Sequence, residues 1–268
     1  MWEQLQTLFE INPETGLVAI TWPIVVLLIA AGFAVGVVNT FAGSGSVITY
    51  SLFMLLGLPA NVANGTIRFG VIMQTLAASS TFWKGGKLPV KKGVVLSIPV
   101  IVGTLLGAQI ATQINQEVFK KVLGVVMLLM LFFIFYDPQK WLIEQAEKTQ
   151  NKLNWKQILL FFAVGTYGGF IHIGVGIFLL VTLVLNTGYE LVKANALKVF
   201  VVFLYSPFAL AVFIFHGQVD YRLGLISAIG NVIGGIVASR MALQRGAHFI
   251  RWFLVVIIVL FTARLFLV

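Results

Sequence analysis

The chain has 268 residues, 59% of them hydrophobic and only 10% charged, with a mean hydropathy of +1.00 and a formal net charge of +9. Soluble domains carry about 25% charged residues, so a water-facing surface cannot be built from this composition and lipid must solvate much of the chain. The basic residues are scattered through short loops, with no aromatic-interleaved patch of the single-strand-binding kind, which argues against a nucleic-acid partner; the absence of cysteine removes disulfides, thiolate metal sites and thiol nucleophiles.

The N-terminal stretch holds Glu3, Glu10 and Glu14 and no base, the opposite of a signal peptide's basic start. An apolar run from Leu17 to Ala42 follows, then the break Gly43-Ser44-Gly45-Ser46. Next comes an apolar piece, Val47–Leu58, too short to cross a bilayer, which takes about 20 residues. Helices are expected over 65–83, 93–113 and 118–136. The polar segment 137–156 opens with Asp137-Pro138, a turn signal, and reads as a linker. The second part repeats the plan: Ile158–Ile171, a break at Gly174-Val175-Gly176, a short apolar piece Ile177–Leu185, and helices over 195–215, 222–243 and 248–267.

The repetition is residue-specific. A shift of 131 places Gly43 on Gly174, Gly45 on Gly176, Ala63-Asn64 on Ala194-Asn195, Phe69 on Phe200, Gly86 on Gly217 and Gly103 on Gly234. Upstream, Phe33-Ala34-Val35-Gly36 matches Phe162-Ala163-Val164-Gly165 at a shift of 129. Shared glycines in one register are not what two unrelated apolar chains produce. The expected domains are therefore an N-terminal transmembrane repeat, 1–136, a cytoplasmic linker, 137–156, and a C-terminal transmembrane repeat, 157–268.

Loop charge gives the relative orientation, because basic loops stay inside. Loop 84–92 carries Lys84, Lys87, Lys91 and Lys92, whereas its mate 216–222 has one Arg222 and one Asp220. Loop 113–121 has Glu117, Lys120 and Lys121, whereas its mate 240–251 has Arg240, Arg245 and Arg251. The basic loop changes place between the halves, as inversion requires. The expected fold class is an all-α integral membrane protein with two inverted-topology repeats, each a broken or re-entrant helix pair plus three transmembrane helices, both termini lying outside.

A break inside lipid leaves backbone groups unpaired at several kcal/mol each, so it must face protein, water or ligand. Paired interruptions in the two halves of inverted-repeat transporters point to the binding site. Helices starting at Ser46 and Ile177 would turn free N–H groups and a positive dipole end toward the breaks, favouring an anion. Gly43, Ser44, Gly45 and Ser46, with Gly174 and Gly176, are therefore candidate substrate residues; the competing reading is close helix packing, assigned here to Gly32/Gly36, Gly103/Gly107, Gly165/Gly169 and Gly230/Gly234.

Arg68 is an isolated base between Gly16 and Lys84, behind Asn64 and Thr66. It either contacts substrate or snorkels to the interface. Lys198 sits near the equivalent place, one residue out of register, after Asn195. Asn64 and Asn195 are either substrate donors or helix caps. His172, two residues before the second break, either meets substrate or a proton, or packs in a hydrogen bond. No acidic residue falls well inside an apolar span, which argues against a buried carboxylate carrying protons or sodium. His172, His216 and His248 lack metal-ligand spacing, and no P-loop or Gly-x-Ser-x-Gly appears; no enzyme activity, cofactor or metal is expected.

The Gly-rich break, the short helix ending near Gly57-Leu58-Pro59, then Ala63-Asn64-Gly65-Thr66 and Gly86-Lys87-Leu88, all repeated in weaker form, resemble the TauE/SafE sulfite exporter family over nearly the whole chain. The resemblance implies a multi-pass transporter in a prokaryotic inner membrane, its partners the lipid bilayer and a small anionic substrate: sulfite, sulfoacetate or another organosulfonate. A homo-oligomer is compatible with it. Two other functions are weighed against alternating access: a passive anion channel, and a membrane enzyme, which would need clustered His, Asp or Glu at one membrane face.

Overall fold

The computed structural model describes residues 18–115, 117–119, 121–122, 154–186 and 189–266, without the side chains of 185–186, 251 and 254–266. Its elements are all helices: α1 Trp22–Phe41, α2 Ser46–Leu55, α3 Ala60–Lys84, α4 Val90–Gln113, α5 Trp155–Phe170, α6 Val175–Val181 running into a π-helical turn Thr182–Asn186, α7 Leu191–Phe215 and α8 Tyr221–Phe266. Inside α8, Gly246 is non-helical (φ 67, ψ −164) and separates the two helices expected at 222–243 and 248–267. Most of the expected 118–136 helix and of the 137–156 linker lies outside the described residues; Trp155 and Lys156, read as linker, already belong to α5, which starts on an Asn154–Gln157 capping box.

Two helices start earlier than expected. Pro59, read as loop, stands at the N-cap of α3, where a missing N–H costs nothing, and Ala63 N–H opens the ladder on Pro59 O at 2.8 Å. In α7 Ala194 N–H does the same on Glu190 O at 2.7 Å. Asn64 and Asn195 therefore lie within their helices, past the capping positions, and the reading of both as caps is corrected.

Four helical stretches are long and apolar enough to cross a membrane: Trp22–Phe41, Val90–Gln113, Leu191–Phe215 and Tyr221–Ile250. They support a multi-pass membrane protein, and their outward faces are apolar. On α4 the exposed residues Val94, Val95, Ile98, Val102, Leu105, Leu106 and Ile110 form a helical stripe, and on α8 Leu225, Ile229, Ile233 and Val237 form another; both suit contact with acyl chains. The 25-residue α3 differs: its buried side includes Asn64, Thr66, Arg68, Gln74, Thr75 and Ser79. Polar side chains cannot face hydrocarbon cheaply, so α3 sits within the protein, packed on α7 and α8.

The packing crosses between the halves. α1 lies on α8, α5 on α4, α3 on α8 and α7 on α4, and α3 meets α7 at the centre. Small residues make the two outer seams. Gly32 and Gly36 lie against the backbone of Ser227, Asn231 and Gly235, while Gly103 and Gly107 lie against that of Phe162 and Thr166; a Cβ at any of the four would collide with main chain. This is the close packing expected of these glycines.

Residues paired by the 131 shift share backbone signatures. Gly43 and Gly174 have φ of 77 and 74, and Gly86 and Gly217 both have φ of 67. At the open end of the α1–α2 pair, Val18 N–H donates to Leu56 O at 3.1 Å, joining the chain that enters α1 to the chain that leaves α2.

Candidate functional site

The two helix breaks meet. Gly43 is left-handed, a conformation that costs other residues roughly 1–2 kcal/mol. A Cβ built on it would strike the backbone of Gly176, and one built on Gly176 would strike that of Gly43. Side chains at either place would force the breaks apart.

The start of α2 is already partnered. Ser46 N–H donates to Asn39 Oδ1 at 3.2 Å, Asn39 Nδ2 donates to Ser46 Oγ at 3.0 Å, and Ile48 N–H donates to Gly45 O at 2.9 Å. The expectation of free N–H groups at Ser46 is thereby corrected: Asn39, one turn before the break, reaches across and fills the role an N-cap plays elsewhere. At the second break Ile177 N–H donates to Gly174 O at 3.0 Å.

The ends of the preceding helices are closed by cations from the opposite half. The last carbonyls of any helix lack intrahelical donors and form its negative end. At the end of α5, Arg68 on α3 donates from Nη1 to Gly168 O at 3.2 Å and from Nη2 to Gly169 O at 2.6 Å, and Asn64 Nδ2 donates to Phe170 O at 2.8 Å. At the end of α1, Lys198 Nζ on α7 donates to Asn39 O, Thr40 O and Phe41 O at 3.3, 2.9 and 3.3 Å. Both cations are buried, Arg68 completely, with its guanidinium 4.7 Å from the Phe213 ring centre. The snorkelling alternative for Arg68 is excluded by this burial.

Between the breaks lies a cavity no larger than about one water molecule, lined by Asn39, Gly43, Gln74, Thr75, His172, Gly176 and Lys198 on its polar side and Val71, Val175, Val199 and Val202 on its apolar side. Thr75 Oγ1 donates to Val71 O at 2.6 Å, leaving its lone pairs available. Gln74 Nε2 donates to Thr40 Oγ1 at 3.0 Å, and the His172 Nδ1 lies 3.3 Å from Tyr205 Oη.

Of the twelve residues singled out from sequence, Gly43, His172, Gly176 and Lys198 line this cavity. Ser44, Gly45, Ser46 and Gly174 build the breaks around it. Arg68 and Asn64 act one layer away, on α5, and Asn195 is fully buried one turn before Lys198. Thr66 is turned elsewhere: its Oγ1 donates to Val62 O at 2.7 Å and accepts from Asp220 N–H at 2.9 Å, tying α3 to the loop before α8. Sequence reasoning missed Asn39, Gln74 and Thr75. Their signal was present, since Asn39 and Gln74 are amides inside charge-free apolar runs.

Among curated proteins the chain is similar to "Probable membrane transporter protein ORF9" of a Sinorhizobium species, with 26% identity over 89% of this chain and 90% of that one. It is also similar to "Probable membrane transporter protein" of Haemophilus influenzae, at 25% over 89% and 93%, and to "Probable membrane transporter protein YfcA" of Escherichia coli K12, at 23% over 86% and 85%. No solved structure matches it significantly. The family model for the sulfite exporter TauE/SafE matches residues 28–265, a span that contains both breaks and both buried cations. The chain belongs to the TauE/SafE sulfite exporter family of membrane transporters.

Proposed function

We propose that the protein is a secondary transporter for a small sulfur-containing anion, working by alternating access of two inverted halves, 1–136 and 157–268, around the cavity between the breaks. The observation that carries the anion is the charge of the interior. Arg68 and Lys198 are buried, and no buried Asp or Glu accompanies them among the described residues. Buried charge without a counter-charge is expensive, and helix-end carbonyls offset it only in part. An anion entering beside Lys198, with the one-water cavity widening to admit it, completes the balance, with Gln74, Asn39 and Thr75 within the same lining to orient oxygens and the four valines to hold an apolar portion. His172, two residues before the second break, lines the same cavity, which supports a role in contacting the substrate or its proton.

Several contacts support the inversion and orientation. The bond between Val18 and Leu56 favours a hairpin for the first broken pair, returning the chain to the side it left. The two basic loops adjoin, Gly85 lying against Leu243, and the two less basic ones adjoin, Gln218 Nε2 donating to Thr112 O at 3.1 Å. Basic loops on one side and the others opposite fit a cytoplasmic 84–92 and 240–251, with termini outside in a prokaryotic cell membrane. Sulfite is the substrate the family name suggests, and the resemblance in the sequence extends the proposal to sulfoacetate and other organosulfonates.

The test is flux in proteoliposomes, with sulfite and sulfoacetate compared against sulfate and acetate. Saturable movement of a sulfur anion supports the carrier. Non-saturating movement supports the passive channel, and no movement of any of the four overturns the anion reading.

A further inference from the structure

The two helix ends are closed from corresponding regions of α3 and α7, but the labour is divided differently. At α5, Arg68 holds two carbonyls, Gly168 and Gly169, and Asn64 holds the third, Phe170. The 129 shift maps these carbonyls onto Asn39, Thr40 and Phe41. There Lys198 holds all three, one with each N–H of its ammonium. Asn195, the mate of Asn64, holds none: among the described residues neither its Nδ2 nor its Oδ1 has a hydrogen-bond partner, although the side chain is fully buried. An unpaired buried amide is rare and costly enough to require an explanation. Asn195 and Lys198 are three residues apart on α7, hence on one helix face, and Lys198 also lines the cavity.

We propose that Asn195 is a standby donor for the Phe41 carbonyl. When the anion arrives, Lys198 gives up Phe41 O and turns that one N–H to the anion. It keeps Asn39 O and Thr40 O, as Arg68 keeps Gly168 and Gly169. Asn195 Nδ2 takes over Phe41 O, reproducing the Asn64–Phe170 bond. No carbonyl at the end of α1 is left bare, and the buried charge acquires a partner without leaving its place. Lys198 is then the residue that binds substrate, Asn195 the positioning residue that frees it, and Arg68 a fixed clasp. This rests on the reading of the cavity as an anion site.

The experiment uses the full chain in detergent. Thermal unfolding and the binding of sulfite and sulfoacetate are measured for wild type, Asn64→Leu, Asn195→Leu and Asn195→Ala. The standby role predicts that both Asn195 variants unfold at or above the wild-type midpoint, because they remove only unpaired atoms, while Asn64→Leu unfolds well below it. It also predicts anion binding weakened roughly tenfold or more in both Asn195 variants, since Phe41 O would be stranded on binding. A purely structural Asn195 would change stability and leave affinity alone. Both Asn195 variants losing as much stability as Asn64→Leu, or binding at wild-type strength, overturns the proposal alone. Wild-type protein that binds neither anion overturns the anion reading and this inference with it.

Discussion

Arg68 shows what a buried base does when no carboxylate among the described residues is buried with it. Its guanidinium forks onto two successive carbonyls, Gly168 and Gly169, and its flat face rests on Phe213. Charge-assisted hydrogen bonds of this kind are the strong ones. Arg68→Met would strip both carbonyls inside the protein, at about 3 kcal/mol or more. The expected result is a large drop in the unfolding midpoint, measured in detergent, with or without anion present. Lys cannot replace it freely, since a single ammonium lacks the planar fork. The residue was visible in the sequence as an isolated base. Its partner was not, because an interaction with backbone carbonyls a hundred residues away leaves no pattern of side-chain types.

At the level of elements, the two breaks meet beside the cavity. The glycines that stop α1 and precede α6 were legible as matched interruptions, and Gly43 and Gly174 do adopt the left-handed backbone that only glycine takes easily. Helix starts were less legible: Pro59 hid the first turn of α3, and nothing in Leu191–Ala194 marks a beginning. The Ser46 N–H inferred to be free is taken by Asn39 Oδ1, whose side chain crosses seven residues of sequence to reach it; a cap from inside the preceding helix has no local signature. Gly176→Ala separates two effects here, because Gly176 needs no positive φ yet touches Gly43. The expected outcome is a folded protein whose transport falls at least tenfold, about 1.4 kcal/mol in the barrier, read as flux per reconstituted protein. Gly43→Ala adds left-handed strain of roughly 1–2 kcal/mol and should lower the unfolding midpoint as well.

For the whole molecule, composition alone yielded a membrane protein, and shared glycines led to the repeat proposed above, since both depend on residue type summed over long stretches. The crossed packing, with α1 on α8 and α5 on α4, could not be read that way because it depends on which small-residue seams find one another. Orientation is directly testable, as the chain has no cysteine of its own. Single cysteines at Lys87 and Arg245 should react with a membrane-impermeant maleimide from the cytoplasmic side, and one at Gln218 from the opposite side. Lys87 and Arg245 labelling from different faces would refute the inverted arrangement.

The contact between Gly43 and Gly176 is lopsided, and that has a kinematic meaning. The shift of 131 sends Gly43 to Gly174 and Gly176 to Gly45, yet Gly45 lies against Val35, Val38 and Asn39 instead of Gly174. The halves therefore hold different postures around one pivot. If they trade postures, as the proposed alternating access would require, the pivot moves one step along each segment of the crossing, from Gly43 on Gly176 to Gly45 on Gly174. The two Gly-x-Gly sequences would then be the successive teeth of a two-position escapement, with one tooth of each engaged on either side of the membrane cycle.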